Sequence, residues 1–419
     1  MKQNLLLALN RLKAKLWFRP LIFCVLSVFL ALLASIADSS YLNDIVPEIN
    51  TESLKNLLST ISGSMLVISI FAVGSMISAF SAASNTATPR SFKLITADDV
   101  SQNALSVFIG SFIYSIVAMV ALQNGYYGKA GHFILFLFTL LFFALVIVTF
   151  LRWVERISKL GRMGHTITLV ENATASAIKS RLESPTLNGI AINPTQEKGL
   201  AICSDASGYV QQINMFRLQK IAETLNAIIT VNAIPGTFVT LDKPLFYVLF
   251  KTKALEIIDY EDIKSAFTMG HMRYFAEDPR FGLITLSEIA SRALSPAVND
   301  PGTAIQIIGS HVRMFSLWNK STQDEDSKKD VFDRIAVPEI IIDDLFIDAF
   351  RPIARDGAGN IEVMIRLQKA FRTIASIDNF DLKKASLQYS KQAFERAEIE
   401  MKYETDITML KRECLFAKQ

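Results

Sequence analysis

Four apolar runs fill most of the stretch between Leu21 and Leu151 of this 419-residue chain: Leu21 to Ala37, Ile61 to Ala83, Ala104 to Leu122 and Phe133 to Leu151. Each is about as long as the ~20 residues that cross a bilayer as a helix, and none contains Asp, Glu, Lys, Arg or His. Hydrocarbon leaves backbone polar groups no partner outside their own helix, so four transmembrane helices are predicted. Everything after Leu151 reads as ordinary soluble sequence.

Composition agrees with this reading. Hydrophobic residues make up 51% of the chain and the mean hydropathy is +0.31, above an average soluble protein. The net charge of +3 is too small, and the basic residues too dispersed, for a nucleic-acid partner. Cys24, Cys203 and Cys414 stand far apart without a CxxC pair or a Cys/His cluster, so neither a disulfide framework nor a metal site is expected.

Residues 1–20 form a basic leader. Leu5, Leu9, Leu12 and Leu16 share a helical stripe while Arg11, Lys13 and Lys15 turn away, the pattern of a helix lying in the membrane interface. The first run is longer than a signal-peptide core and follows this leader, so it reads as a retained span. Basic residues collect on the cytoplasmic side of short loops. The leader, the second loop with Arg90 and Lys93, and the segment after run four with Arg152, Arg156, Lys159 and Arg162 are basic; the first loop sets Asp38, Asp44, Glu48 and Glu52 against Lys55 alone. Both termini and the soluble half are therefore predicted to be cytoplasmic. The fold class that follows is membrane α-helical (four transmembrane helices) plus a cytoplasmic α+β domain with a helical C-terminal part.

Run four is apolar all round, which suits lipid contact. Run two is rich in small residues: Gly74, Ser78 and Ala82, and likewise Ser75, Ala79 and Ala83, recur every four residues, with Ser81 beside them. Such spacing lets helices approach closely. The face made by Gly74, Ser75, Ser78 and Ser81 lines a pore or a subunit contact, or else packs against run three, where Gly110, Ser111 and Ser115 match it; internal packing is the commoner use. The lack of charge in all runs argues against a coupled transporter, which places ionisable groups in the membrane. A passive hydroxyl-lined channel needs none, but four spans would require a homo-oligomer to surround it. In the second loop Arg90 and Lys93 stand at headgroup height, and Asp98 and Asp99 precede a new helix. Lipid anchoring and capping account for all four residues; coupling of the membrane and soluble parts is the functional alternative.

The membrane domain, 21–151, is expected to lead into a connecting helix over 152–183 with Gly161 and Gly164 as break points. A small α+β module over 184–258 follows, with strands at 200–203, 228–234 and 246–250, a helix over 214–227 and a Pro235-Gly236 turn. Residues 259–419 read as a helical region with a charged linker near 319–334. Its helices are expected over 283–294, 301–317, 338–353 and 361–375, with a last one capped by Asp381.

Several strings are specific: SDASGYVQQIN at 204–214, PGTFVTLDKPL at 235–245, DPRFGLITLSEIASRALSPAVNDPGTA at 278–304, TPRSF at 88–92 and FIGSFIY at 108–114. On these the chain resembles, over nearly its whole length, the bacterial predicted membrane proteins of the domain of unknown function 2254 family. Asn214 stands where an acidic residue, and Gly302 where Phe or another bulky residue, would be expected. The resemblance implies an integral protein of the bacterial cytoplasmic membrane and transfers no activity.

In ALSPAVNDPGTA, Ser295-Pro296 and Asp300-Pro301 each match an N-cap followed by Pro at the first helical position, so two helix starts are expected within six residues. Caps alone account for every residue type there. The same corner presents free N–H groups, which makes Arg292, Ser295, Asn299, Asp300, Thr303 and His311 a candidate anion site, with the charge of Asp300 opposing it. No nucleotide-binding, metalloprotease or hydrolase motif occurs, and no activated nucleophile or paired acid and base. No catalytic residue, metal or cofactor is expected. The sequence is best read as a non-enzymatic membrane protein whose cytoplasmic half senses a small-molecule ligand or scaffolds a partner; an oligomeric channel or transport component is the alternative. Its expected partners are the lipid bilayer and a second copy of itself.

Overall fold

The computed structural model describes residues 17–39, 45–96, 98–193, 195, 197, 199–251, 260–320 and 332–418. The leader stripe and the greater part of the charged linker lie outside them. The chain divides into two compact units, Met1–Thr166 and Ile167–Gln419.

In the first unit four helices among the described residues are long and apolar enough to cross a membrane: α1 (Phe18–Leu33, continued by a 3-10 turn to Ser39), α2 (Thr51–Thr86), α3 (Asp99–Gln123) and α4 (Lys129–Lys159). Each apolar run falls within one of these spans. With 36 residues, α2 is about 54 Å long and overruns the ~30 Å of a hydrocarbon core. The central helix is α3, which buries Ala104, Phe108, Tyr114, Ser115 and Ala118. The other helices turn Val25, Phe29, Val67, Ile70, Leu141 and Leu151 outward, as lipid-facing helices do. The Tyr114 ring stacks on Phe142, and its hydroxyl lies 3.1 Å from both the Leu135 carbonyl oxygen and Thr139 Oγ1, so this buried polar group is satisfied.

Among the described residues, charge is confined to the bundle ends. At one end Asp38 accepts from the backbone N–H groups of Gly128 and Gly131, both at 2.7 Å, and so caps α4, whose own N-cap is a glycine. A Cβ at those glycines would stand 2.8 and 2.5 Å from the Asp38 carboxylate, which explains both. At the other end Asp98 accepts from Ser101 N–H at 2.9 Å, capping α3, and its second oxygen accepts from Arg156 Nε of α4 at 2.6 Å. Beside it Arg19, in the first turn of α1, pairs with Asp99 at 2.5 Å. Four antiparallel helices require these groupings: Arg19, the α2–α3 loop and Arg156 share one end, Asp38 and Gly128 the other.

The small-residue face of α2 does not pack on α3 as expected. Ile61, Met65 and Ala72 carry α2 into the bundle core, while Gly74, Ser78 and Ser81 are exposed. Gly110 of α3 instead admits α1, since a Cβ there would stand 3.1 Å from Ser27 Oγ and 3.2 Å from Phe23 Cβ. A surrounded helix spends its small residues on a close neighbour, and the bulkier stripe of α2 fills the space that remains.

The connecting segment is two helices rather than one. Gly161 takes a φ of +84°, which ends α4, and α5 (Met163–Glu183) starts afresh with Gly164 inside it. The second unit continues with β1 (Gly189–Ala191), β2 (Leu200–Cys203), β3 (Gly208–Ile213), α6 (Met215–Thr224), β4 (Ala227–Val231), β5 (Phe238–Val239), β6 (Pro244–Phe250) and β7 (Phe267–Gly270). After these come α7 (Pro279–Ala293), α8 (Pro301–Phe315), β8 (Phe332–Val337), α9 (Ile342–Asp356), α10 (Ile361–Ala375), α11 (Phe380–Glu400) and α12 (Glu404–Glu413). One sheet has the order β1-β8-β4-β6-β2, the other β5-β3-β7. In the first, β8 runs parallel to β1 and β4, whereas β6 is antiparallel to β4 and β2. Ile229, Val231, Phe246, Val248 and Ile335 form its core, covered by Leu218 and Ala222 of α6. The α+β part is thus not confined to 184–258: β7 and β8 come from the stretch read as helical, and β8 overlaps the linker. The helical part packs Phe315, Phe346, Phe350, Phe371 and Tyr389 into one aromatic cluster. Two boundaries also move. Helix α9 starts at Ile342 rather than at Pro338, and α11 is capped by Asn379, which accepts from Leu382 N–H at 3.0 Å, rather than by Asp381.

Asp98 is 2% exposed and Arg156 27%. Asp98→Asn keeps a capping acceptor but leaves Arg156 unpaired, and is expected to cost about 2 kcal/mol, below the ~3–5 kcal/mol of a fully buried pair because Arg156 reaches solvent. Asp98→Ala should cost about 1 kcal/mol more through the lost cap. Unfolding midpoints of the detergent-solubilised variants measure both.

Candidate functional site

The specific strings meet around the start of α7. Asp278 caps that helix, accepting from Phe281 N–H at 3.1 Å, and receives Arg273 through Nε at 2.6 Å and Nη2 at 2.9 Å. The Arg273 guanidinium lies over the Phe281 ring, 5.6 Å from its centroid. Gly236, at the PGTF turn with φ of +95°, sits so close that a Cβ would come within 2.4 Å of Asp278 Oδ2. One turn on, Gly282 leaves no room for a side chain against Thr174 of α5, and Arg280 pairs with Asp344 and, at 2.6 Å, with Asp348 of α9. The DPRFG string therefore fastens a sheet turn, α5 and α9 together, an architectural task.

The ALSPAVNDPGTA corner contains one helix start, not two. Asp300 caps α8, its carboxylate accepting from Thr303 N–H at 3.1 Å and from Thr303 Oγ1 at 2.5 Å. The Thr303 hydroxyl, aided by the backbone N–H, holds the Asp300 carboxyl below the ordinary carboxylate range. Ser295 caps nothing: its hydroxyl donates to the Arg292 carbonyl at 2.7 Å. Its own carbonyl accepts from Val298 and Asn299 N–H, closing a tight turn with Asn299 at a φ of +48°. The chain reverses before a helix can begin at Pro296. Arg292 and Asn299 lie on the surface of this corner, but His311 is eleven residues beyond Asp300 on α8, about 16 Å along the axis. The structure does not bring it to the corner, and the anionic cap already fills the helix start. Asn214 similarly caps α6 by accepting from Arg217 N–H at 3.1 Å, a task an amide performs as well as a carboxylate.

His311 belongs to a different constellation. Its Nε2 lies 3.2 Å from Ser287 Oγ, whose own proton goes to the Ala349 carbonyl at 2.7 Å, and its ring stands edge-on to Phe350. Nδ1 has no hydrogen-bond partner. Ser287 and His311 are 1% and 0% exposed, so this serine–histidine pair is sealed between α7, α8 and α9. Burial pushes the imidazole down to about 3, and it is neutral. With the two 24 positions apart and no motif joining them, sequence reasoning had nothing by which to find the pair.

In the loop considered as a candidate for membrane coupling, Asp98 and Asp99 are engaged as described above, and Arg90 and Lys93 lie exposed on the helical turns between Pro89 and Thr96. Of the pore-face candidates, Gly74, Ser75 and Ser78 line an open groove of about 470 Å³ with Ala79, Ala82 and Ile157, and Ser81 lies outside it.

A cleft that the sequence did not reveal lies in the second unit. About 570 Å³ in volume, it is bounded by Arg181 at the end of α5, Trp318 after α8, Ile340 and Ile342 at the start of α9, and Lys384 and Ala385 on α11. Arg181 is 7% exposed, and its Nη1 has no hydrogen-bond partner. Burial pushes its pKa below the ordinary arginine value, with the charges of Glu277 and Asp278 opposing that shift. Its lining residues come from segments far apart in the chain. One local signal did exist: Val170, Thr174, Ala177, Ile178 and Arg181 share one buried helical stripe, in which an arginine is out of place.

A family profile described as Predicted membrane protein (DUF2254) matches residues 13–373. Among curated relatives, an uncharacterized protein of Mycobacterium bovis and two of Mycobacterium tuberculosis strains are 55% identical over 40 residues, which is 10% of this chain and 8% of each relative. This chain therefore matches only a small part of the length of those proteins. No solved structure matches.

The buried imidazole sets a pH dependence. Between the ordinary value of 6.5 and the folded value of about 3, the unfolded chain takes up a proton that the folded chain refuses. This contribution is intact above pH 6.5 and declines on acidification, by at most about 1.4 kcal/mol per pH unit. His311→Leu should flatten the acid limb of a stability–pH curve in that window; an unchanged slope would contradict a buried neutral histidine.

Proposed function

We propose that this protein, which belongs to the DUF2254 family of predicted membrane proteins, is a non-enzymatic protein of the bacterial cytoplasmic membrane whose second unit senses a small-molecule ligand on the cytoplasmic side. The observation that carries the reading is the Arg181 cleft: a ligand-sized cavity beside a nearly sealed charge that has no ion pair among the described residues. The orientation is supported by the bundle ends, because Arg19 and Arg156 gather with the Arg90–Lys93 loop at one end and Asp38 stands at the other. The four spans supply an anchor, and their uncharged runs suit a passive role better than coupled transport.

A second reading rests on the open groove at Gly74, Ser75 and Ser78. Small residues on an uncovered transmembrane face suit close approach by a second copy of the chain, which would give the homo-oligomer that a channel needs.

Purified protein in liposomes separates these readings. A sensor should show an unfolding midpoint raised by members of a broad metabolite panel and no ion flux with or without them. Ion flux combined with indifference to every compound would replace the sensor with a channel.

A further inference from the structure

We propose that the Arg181 cleft binds a small organic monoanion, a carboxylate carried on an aromatic body. This deepens the sensing reading and rests on it. A guanidinium keeps its charge at any physiological pH, and a charge withdrawn from water is costly unless an anion compensates it. The protein supplies that compensation poorly here. Asp278 is already committed to Arg273 and to the start of α7, and Glu277 acts on Arg181 without forming an ion pair or hydrogen bond to it among the described residues. Two half-buried arginines of the second unit are matched: Arg273 has Asp278, and Arg280 has Asp344 and Asp348. Arg181 is buried more deeply than either, has no ion pair among the described residues, and forms part of a cavity wall.

The remaining walls define the rest of the ligand. Leu182, Pro185, Ile340 and Ile342 are apolar, and Trp318 offers an indole that is held by stacking on Phe315 at 5.8 Å. A flat apolar body fits such a slot, since aromatic faces stack favourably. The rim sets Lys384 against Glu339, Asp343 and Asp381. Together with Arg181 that makes two cations to three carboxylates, a balance that opposes a phosphate or any polyanion more strongly than a single negative charge delivered directly to the arginine. Carboxylate and guanidinium also match as a two-point fork, which favours a carboxylate over a monatomic anion.

The test uses the full-length protein in detergent, titrated by calorimetry with three probes: indole-3-acetate, tryptamine as the cation on the same ring system, and inorganic phosphate. Indole-3-acetate should bind and raise the unfolding midpoint, whereas tryptamine and phosphate should do neither. Arg181→Met, which keeps the length and apolar stem of the side chain, should weaken indole-3-acetate at least tenfold. Lys384→Ala, at the exposed rim, should weaken it severalfold without altering stability. If Arg181→Met does not fold, Trp318→Ala and Lys384→Ala still test the site, and unchanged affinity in both would overturn it. Equal binding to Arg181→Met, or tighter binding of tryptamine or phosphate, would also overturn it. Failure of indole-3-acetate to bind the wild type rejects this ligand class; the sensing reading falls only if the broad metabolite panel also leaves the midpoint unmoved.

Discussion

A charge taken out of water must find its partner inside the protein, and the buried aspartates of the two units, Asp98 and Asp278, are placed accordingly. In the first unit the hydrocarbon core enforces it: the four apolar runs contain no charge, Tyr114 is satisfied by its neighbours on α4, and among the described residues carboxylates appear only at the bundle ends. There Asp38 and Asp98 each tie together elements distant in sequence, the first closing α4 from the end of α1, the second capping α3 while holding Arg156. The ends of the bundle are therefore fixed by two aspartates whose lone pairs complete helix termini.

The second unit obeys the same requirement with arginine–aspartate pairs. Asp278 serves a helix cap, a cation and a glycine turn at once, which explains why the PGTF and DPRFG strings occur together in one chain. His311 is tolerated because burial keeps it neutral. Arg181 is buried comparably but has no ion pair among the described residues, an imbalance that the proposed ligand would relieve.

What could be read from sequence was what depends on neighbours along the chain. The transmembrane runs, the helix Ile361–Ala375 and the strand Leu200–Cys203 need only local hydropathy and periodicity, and each stands where expected. Strand β8 escaped because it is six residues long, follows a charged run, and is made a strand by β1 and β4, more than 100 positions away in the chain. The Ser295-Pro296 cap signature failed for a similar reason. A cap needs a helix to follow, and hydrogen bonds to the Ser295 carbonyl turn the chain first. On α2 the small residues were visible, but which neighbour uses them depends on α3 being surrounded, a property of the assembled bundle. The Arg181 cleft lay furthest from view, with a single out-of-place arginine as its only local trace.

The reading as a whole depends on which side of the membrane the second unit occupies, because a cytoplasmic sensor must reach cytoplasmic solutes. A pair of reporters fused after Gln419, one active only in the cytoplasm and one only in the periplasm, measures this directly. The account predicts activity of the cytoplasmic reporter alone. Activity of the periplasmic reporter alone would contradict it.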